Sequence, residues 1–492
     1  MRLAHLCRAV IAATVTTAGL SACDRTDQGE VRVEVVGETP KLVDPATGTL
    51  TAPQAVLLSN VAQGLVRFDA RGQIVPGLAE RWTVTDDGLS YIFRIESGEW
   101  PGGGKITAHQ IARLLRRQLA RRSDNSLKDT LGAIAEVVPM TDRVLEIRLS
   151  TPRPSLLQLL AQPELAMMRD GRGTGPFQVQ PDSKPPAIRL ERTVVSPDEE
   201  ESRLEQVVLA AAAAKEAVGL FAKGSSDLVI GGTFADLPYA QAADLPRNAL
   251  RFDPAAGLFG LVPGRSTGPI ADVEFRRLLA QAIDRQALID ALNVPGLLPR
   301  ATLLEPGLDG LPDPAAPAWS AVPMAERQPA LVAAANQRFG DEDRPVLTIA
   351  VPEGPGAQIL LNRLSADWAP LGIRVERAKA AAGADLVLID AVAPSTSPAW
   401  FLRQFRCGEA PVCDVEVDTL LDRARDAIPP AEHNGWLAQA AARADEQQLF
   451  IAFTAPIRWS LVSDRVTGFA PNRFARHTLT GLTQRLNRER SE

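Results

Sequence analysis

Residues 9–20 carry no charge and are mostly apolar, behind a short start that holds Arg2 and Arg8. As a helix those twelve residues would span about 18 Å, well short of the roughly 30 Å hydrocarbon core of a bilayer. The stretch therefore suits the core of an export signal better than a permanent transmembrane helix. The chain beyond it is expected to fold as a water-soluble body outside the cytoplasm. At 492 residues the chain is long enough for two or three domains. Its 53 Lys+Arg against 59 Asp+Glu leave a formal charge of −6. A nucleic-acid partner, which needs a basic stripe to displace counterions, is not expected. Four Cys are too few for a disulfide-stapled scaffold, and four His give little scope for a metal cage.

The apolar stretch ends in Leu20-Ser21-Ala22-Cys23. That ending resembles the bacterial lipobox, in which an aliphatic residue and two small ones precede a Cys that is acylated before cleavage. The resemblance implies a lipoprotein signal peptide over 1–22 and lipidation of Cys23; an ordinary secretory signal with a chance Cys is the alternative. Several acyl chains hold a protein firmly at a membrane where one does not. Asp24 resembles an inner-membrane retention signal, so a periplasmic body tethered to the inner membrane is the expectation. Export also implies an oxidising compartment. Cys407 and Cys413 bracket five residues that can turn back through Gly408 and Pro411, and a local disulfide is expected there. A metal site is the rival reading, but no His lies near in sequence.

Along the chain, residues 31–36 alternate Val with Arg and Glu, a period-two strand. Helical spacing of Val56, Leu57, Val61 and Leu65 predicts a helix over 51–68. Strands around 81–85 and 91–95 flank Asp86-Asp-Gly88, a strong hairpin turn. Thr107 is a natural N-cap for a cationic amphipathic helix over 110–121. A strand over 144–149 and a helix over 154–160 precede the Gly-rich break Gly171-Arg-Gly-Thr-Gly-Pro176. Beyond it strands and helices alternate, at 228–230, 275–291, 346–351, 365–371 and 386–389, with an irregular Pro- and Ala-rich segment over 298–321. The class is mixed α/β with at least two lobes.

Specific motifs run along this framework. Gly64-Leu-Val-Arg-Phe-Asp69, Ile74-Val-Pro-Gly-Leu-Ala-Glu-Arg-Trp82 and Asp86-Asp-Gly-Leu-Ser-Tyr-Ile-Phe93 come first. Gly98-Glu-Trp-Pro-Gly102, Ile106-Thr-Ala108, Gly173-Thr-Gly-Pro-Phe177, Pro269-Ile-Ala-Asp272, Phe275-Arg-Arg277 and Ala282-Ile-Asp-Arg285 come after them. Their ordered succession resembles solute-binding protein family 5, the peptide- and nickel-type receptors of ABC importers. The resemblance implies a type II clamshell of two lobes, with the extra subdomain of peptide-binding members, that closes over a ligand. A discontinuous first lobe would take 24–52, 172–265 and 461–492. The subdomain would take 53–171 and the second lobe 266–460. The Gly-Thr-Gly-Pro segment suits a lobe crossing, since Gly permits angles other residues resist and Pro then fixes φ. Asp272 can cap the helix after it, and Arg276, Arg277 and Arg285 would give a cationic face, either solvated or available for permease docking or lobe contacts.

The ligand is where the sequence departs from that family. Members similar to Gly-Trp-x-x-Asp-Tyr-x-Asp-Pro pair an Asp with the peptide α-amine. Alignment on Phe401-Leu402 puts Pro394 at that Asp and Ala391 at the Trp, so Asp390 could substitute only with a shifted loop. The Asn-x-x-Tyr-Trp motif after the crossing strand is replaced by Glu191-Arg-Thr-Val-Val-Ser-Pro197. Main-chain contacts could still hold an extended peptide. Glu38 and Thr39, in Gly37-Glu-Thr-Pro-Lys-Leu-Val-Asp-Pro45, are candidate cleft residues, and Trp400 a candidate apolar wall. His109, His433 and His477 read as surface residues, so no metal site and no cofactor are expected. No nucleophile elbow, zinc-protease motif or phosphate-cradling loop is present. The expectation is a monomeric, non-enzymatic receptor passing a small peptide or peptide-like solute to a permease; a clamshell lipoprotein serving as sensor or scaffold is the alternative.

Overall fold

A computed structural model describes residues 29–183, 185–195, 202–340 and 344–484. Cys23 and the expected signal lie outside them. Two sheets organise the described residues. The first has the strand order Gln178–Val179, Ile188–Val195, Ser202–Ala212, Glu30–Val36, Leu228–Thr233, Arg458–Val462, Leu250–Phe252. Glu30–Val36 runs parallel to both its neighbours, and its Val31, Val33 and Val35 are fully buried. The alternation read in the sequence thus puts the Val face on the core and leaves Arg32 exposed.

The second sheet has the order Arg374–Arg377, Val346–Ala350, Leu386–Val392, Gly257–Pro263, Ile451–Thr454. Gly257–Pro263, which the sequence reading assigned to the first lobe, pairs on both sides within this sheet, with Leu386–Val392 and with Ile451–Thr454. Its near-continuous apolar run suits a central strand covered on both faces. A third, four-stranded antiparallel sheet joins Ala79–Val84, Ser90–Ile95, Val144–Leu149 and Ile134–Thr141. Against it lies the helix Ala108–Leu119, whose Ile111, Ala112 and Leu115 are buried. Thr107 and Gln110 close a reciprocal capping box at its start.

The helix expected over 51–68 stops at Val61. The backbone turns extended at Ala62, Gly64 then lets the chain pass the Leu160 carbonyl oxygen, which a Cβ would approach to 2.5 Å, and the chain continues as the short strand Val66–Phe68. The run 275–291 likewise divides into Val273–Ala282 and Arg285–Leu292, because Asp284 caps a second helix through the Ala287 N–H. Asp272 caps the first, accepting from Glu274 N at 3.0 Å.

The cationic face expected on these helices does not form. Arg276 and Arg285 are 2% and 6% exposed. Arg276 donates to the carbonyls of Ile270, Ala271, Gln447 and Gln448. Arg285 donates to those of Ala280, Arg300 and Ala452. Both stitch helix ends and loops together by serving backbone oxygens that burial would otherwise leave short of donors.

Candidate functional site

The chain passes from the first sheet to the second between Phe252 and Gly257, and returns between Thr454 and Arg458. In parallel α/β sheets, ligands bind where the strands end. Here Glu30–Val36 and Leu228–Thr233 of one sheet, and Val346–Ala350 and Leu386–Val392 of the other, end toward the two crossings. The loops after these strands meet: Gly356 N donates to Ala235 O at 2.8 Å. Gly354 has φ 137°, and a Cβ there would lie 2.5 Å from the same oxygen. Phe234 stacks edge-on to Phe259 at 4.8 Å, and Phe259 to Phe453 at 5.8 Å. An unbroken aromatic pile thus joins the two sheets beside the crossings.

On the other side of the strand ends, Gln162 Nε2 donates to Pro394 O at 2.8 Å. Gln158 Oε1 accepts from the N–H and hydroxyl of Thr396, and that hydroxyl also reaches Asp309 Oδ2 at 2.6 Å. Arg476 holds Gln162 and Glu164 in place, at 3.1 and 2.9 Å. A polar seam therefore ties the second sheet's loops to the small subdomain.

Among the sequence candidates, Asp390 lies in the strand Leu386–Val392 and pairs with Arg458, Nη1 to Oδ1 at 2.7 Å. Nη2 of the same guanidinium donates to the Asp390 carbonyl at 3.1 Å. Burial pushes this carboxyl above the ordinary carboxylate range, while Arg458 opposes the shift. Its charge is therefore already met within the protein. Glu38 is exposed and Thr39 half-buried, both just past the end of Glu30–Val36. Trp400 sits on the helix Pro398–Arg403, packed edge-on to Phe401 at 5.1 Å. It lines a crevice with Leu131, Arg153 and Arg403 at the seam with the subdomain.

His477, expected at the surface, is buried and holds Asp253 of the first crossing at 3.1 Å. His433 is half-buried against the Ala424 carbonyl, and His109 is exposed. Among the described residues no group of three or more His, Cys, Asp or Glu is arranged to hold a metal, and no helix is long and apolar enough to cross a membrane. The Cys407 and Cys413 sulfurs lie at bonding distance, 2.13 Å.

Sequence reasoning missed the clamp on the first crossing. Arg300 Nη2 donates to Gly257 O at 2.7 Å, and Glu305 Oε2 accepts from Gly257 N at 3.1 Å. Arg300 and Glu305 pair with each other at 3.3 Å. Burial lowers Arg300 to about 10 and raises Glu305. Both crossings and this clamp line a cavity of about 660 Å³, within the usual range of ligand pockets. The pattern Pro299-Arg-Ala-Thr-Leu-Leu-Glu305, a pair of charges inside an apolar run, was the available signal, since buried charges need partners.

Residues 73–405 match the family described as bacterial extracellular solute-binding proteins, family 5 Middle. The dipeptide-binding protein of Escherichia coli K12 is 24% identical over 353 residues, 62% of this chain and 63% of that protein. A probable deoxycholate-binding periplasmic protein of the same organism, YgiS, is 33% identical over 133 residues, 23% of this chain and 24% of its own. The chain thus spans less than two thirds of the length of either relative. Among solved structures, Haemophilus influenzae OppA in complex with RPPGFSPFR aligns with a TM-score of 0.77 at 16% identity, covering 93% of this chain and 99% of that one. The E. coli murein tripeptide binding protein MppA aligns at 0.78 and 17%, with the same coverage. These structures share the two-lobed fold.

Proposed function

Because the chain belongs to family 5 of the bacterial extracellular solute-binding proteins, we propose that it is the solute receptor of an ABC importer. It shuts two lobes on a peptide or peptide-like solute and hands it to a membrane permease without altering it. The observation that carries this reading is the apposition of parallel-strand ends from two sheets joined by just two crossings among the described residues. That arrangement supports hinge closure around a guest. The names of the similar proteins, which include binders of a dipeptide, of a nonapeptide and of a murein tripeptide, support the peptide class.

The proposed division gives the first lobe 24–52, 172–256 and 457–492, the subdomain 53–171, and the second lobe 257–456, with the boundaries moved to the two crossings. Glu38 and Thr39 face the guest from the first lobe and Asp390 from the second, with Trp400 walling the subdomain side. Because Arg458 already neutralises Asp390, main-chain contacts and Glu38 carry the recognition of a peptide amine. The receptor is a monomer, lipidated at Cys23 and held at the periplasmic face of the inner membrane, with a disulfide between Cys407 and Cys413.

Thermal denaturation with di-, tri- and oligopeptide pools, and with deoxycholate as a non-peptide comparison, tests the cargo. A ligand at 100 times its Kd adds about 2.7 kcal/mol of stability. Stabilisation by deoxycholate and by no peptide pool overturns the peptide assignment. Neighbouring genes for a permease and an ATPase support transport, and their absence favours a sensor or scaffold.

A further inference from the structure

Beside the clamp lies a second cavity, of about 290 Å³, lined by Asp284, Arg285, Arg300, Trp319 and Arg327 among others. Three features set it apart from a packing gap. First, it gathers two guanidinium groups around one ring, the Arg285 and Arg327 carbons standing 5.2 and 5.3 Å from the centre of Trp319, and a third, that of Arg300, in its lining. Second, each of the three keeps an N–H without a partner among the described residues, namely Arg285 Nη2, Arg300 Nε and Arg327 Nε. Arg285 and Arg300 are themselves 6% and 9% exposed. Third, their remaining donors are spent almost entirely on backbone carbonyls, which satisfy hydrogen bonds but cancel no charge. Arg327 serves Trp319, Val322 and Ile283. Arg300 has Glu305; Arg285 has no ion pair among the described residues.

The acidic groups nearby carry hydrogen bonds of their own while attracting these cations from a distance: Asp367 acts on Arg285, Asp284 and Asp367 on Arg327, and Glu305 and Asp445 on Arg300. Asp284 caps the helix Arg285–Leu292. Asp367 is held by Arg363 at 2.5 Å and by the Asp284 N–H at 3.1 Å. Burial, and after it the charge of Arg327, lower Arg285 to about 9 against the pull of Asp367.

We propose that this cavity binds a small oxyanion, a phosphate or carboxylate group received by Arg285, Arg300 and Arg327, with Trp319 holding two of the guanidiniums in place. Guanidinium forks match the planar, multi-acceptor geometry of such groups. The site is separate from the strand-end cleft and does not rest on the assignment of its cargo. Since Arg300 also grips Gly257 at the first crossing, an anion bound here would stiffen the clamp on the hinge.

The test is isothermal titration of the full chain with inorganic phosphate and, in a second arm, with citrate, each at ionic strength matched with NaCl. Saturable binding of one equivalent is expected in at least one arm, and which arm binds identifies the anion. Arg327→Gln, at a partly exposed position, should weaken it about tenfold, the loss of one charge-assisted contact, and Trp319→Ala, which removes the ring that orients two of the guanidiniums, should weaken it as well. Their far-UV spectra should stay close to that of the parent; because Arg327 also serves three backbone carbonyls, anion-free melting is expected to fall, and binding is compared at a temperature where each variant is fully folded. Arg285→Lys, which keeps charge but not the fork, should weaken binding as well. Heat no different from NaCl in both arms overturns the proposal. So does binding that Arg327→Gln and Trp319→Ala leave unchanged.

Discussion

Arg458→Met removes the cation that neutralises Asp390 at the return crossing. At an effective dielectric of about 20, unit charges 2.7 Å apart attract by about 6 kcal/mol. Much of that repays desolvation, and breaking one side of a buried pair costs about 3–5 kcal/mol. Because the two side chains keep 16% and 14% exposure, the lower end applies, about 3 kcal/mol. The loss should depend on pH in a defined direction. Burial already raises Asp390 and Arg458 opposes the rise, so the variant's carboxyl titrates higher still. Between that raised value and the unfolded value near 3.9 the folded variant holds a proton that the unfolded chain has released. Its stability therefore rises as pH falls through this window. Urea denaturation followed by circular dichroism, for parent and variant at about pH 7 and pH 5, measures both effects. A deficit at pH 7 below about 1 kcal/mol, or one that does not shrink at pH 5, refutes the account. Asp390→Asn in the same background should recover much of the loss, since it removes the stranded charge.

Arg276→Met strands four carbonyls and should cost about 3 kcal/mol in denaturant unfolding, against less than about 1 kcal/mol for Arg277→Ala at the half-exposed neighbouring position. Gly173→Ala would bring its methyl to 2.5 Å from Ala62 Cα, so melting should fall by the equivalent of about 1–3 kcal/mol, an overpacking cost. Asp445 has its carboxyl pushed up to about 7 by burial. The folded state therefore takes up a proton below that pH, stability falls as pH rises from about 5 to 7, and Asp445→Asn should flatten that dependence. Peptide mapping without reductant should recover Cys407 and Cys413 in one linked fragment, and Cys407→Ser should lower stability by about 2 kcal/mol, the loop-entropy value for so short a ring.

Local chemistry was legible from the sequence where its causes lie within a few residues. The alternation at 144–149 gave the strand Val144–Leu149, Thr107 and Gln110 gave the helix start, and Asp86-Asp-Gly88 gave the hairpin turn between Ala79–Val84 and Ser90–Ile95. The order of motifs from Gly64 to Arg285 made the two-lobed family readable. What escaped was set by partners distant in the chain. Arg276 looked like a surface charge because the carbonyls it serves at Gln447 and Gln448 lie 171 and 172 residues away. Asp390 looked free because Arg458 stands 68 residues on. A lone carboxylate inside Leu388-Ile-Asp-Ala-Val392 does announce that a counter-charge must exist, but not which Arg supplies it. His477 escaped for the same reason, its partner Asp253 being 224 residues earlier.

Arg276 and Arg285 spend their charge inside the protein on oxygens that carry none, but Glu164, Glu205, Asp227, Glu305, Asp367 and Asp385 are buried as well, so burial leaves the water-facing shell no more acidic than the formal −6, which still makes the surrounding field negative. Solutes approaching from a distance meet that shell first. Cationic ones are drawn in faster at low ionic strength, and anionic ones must arrive against the field.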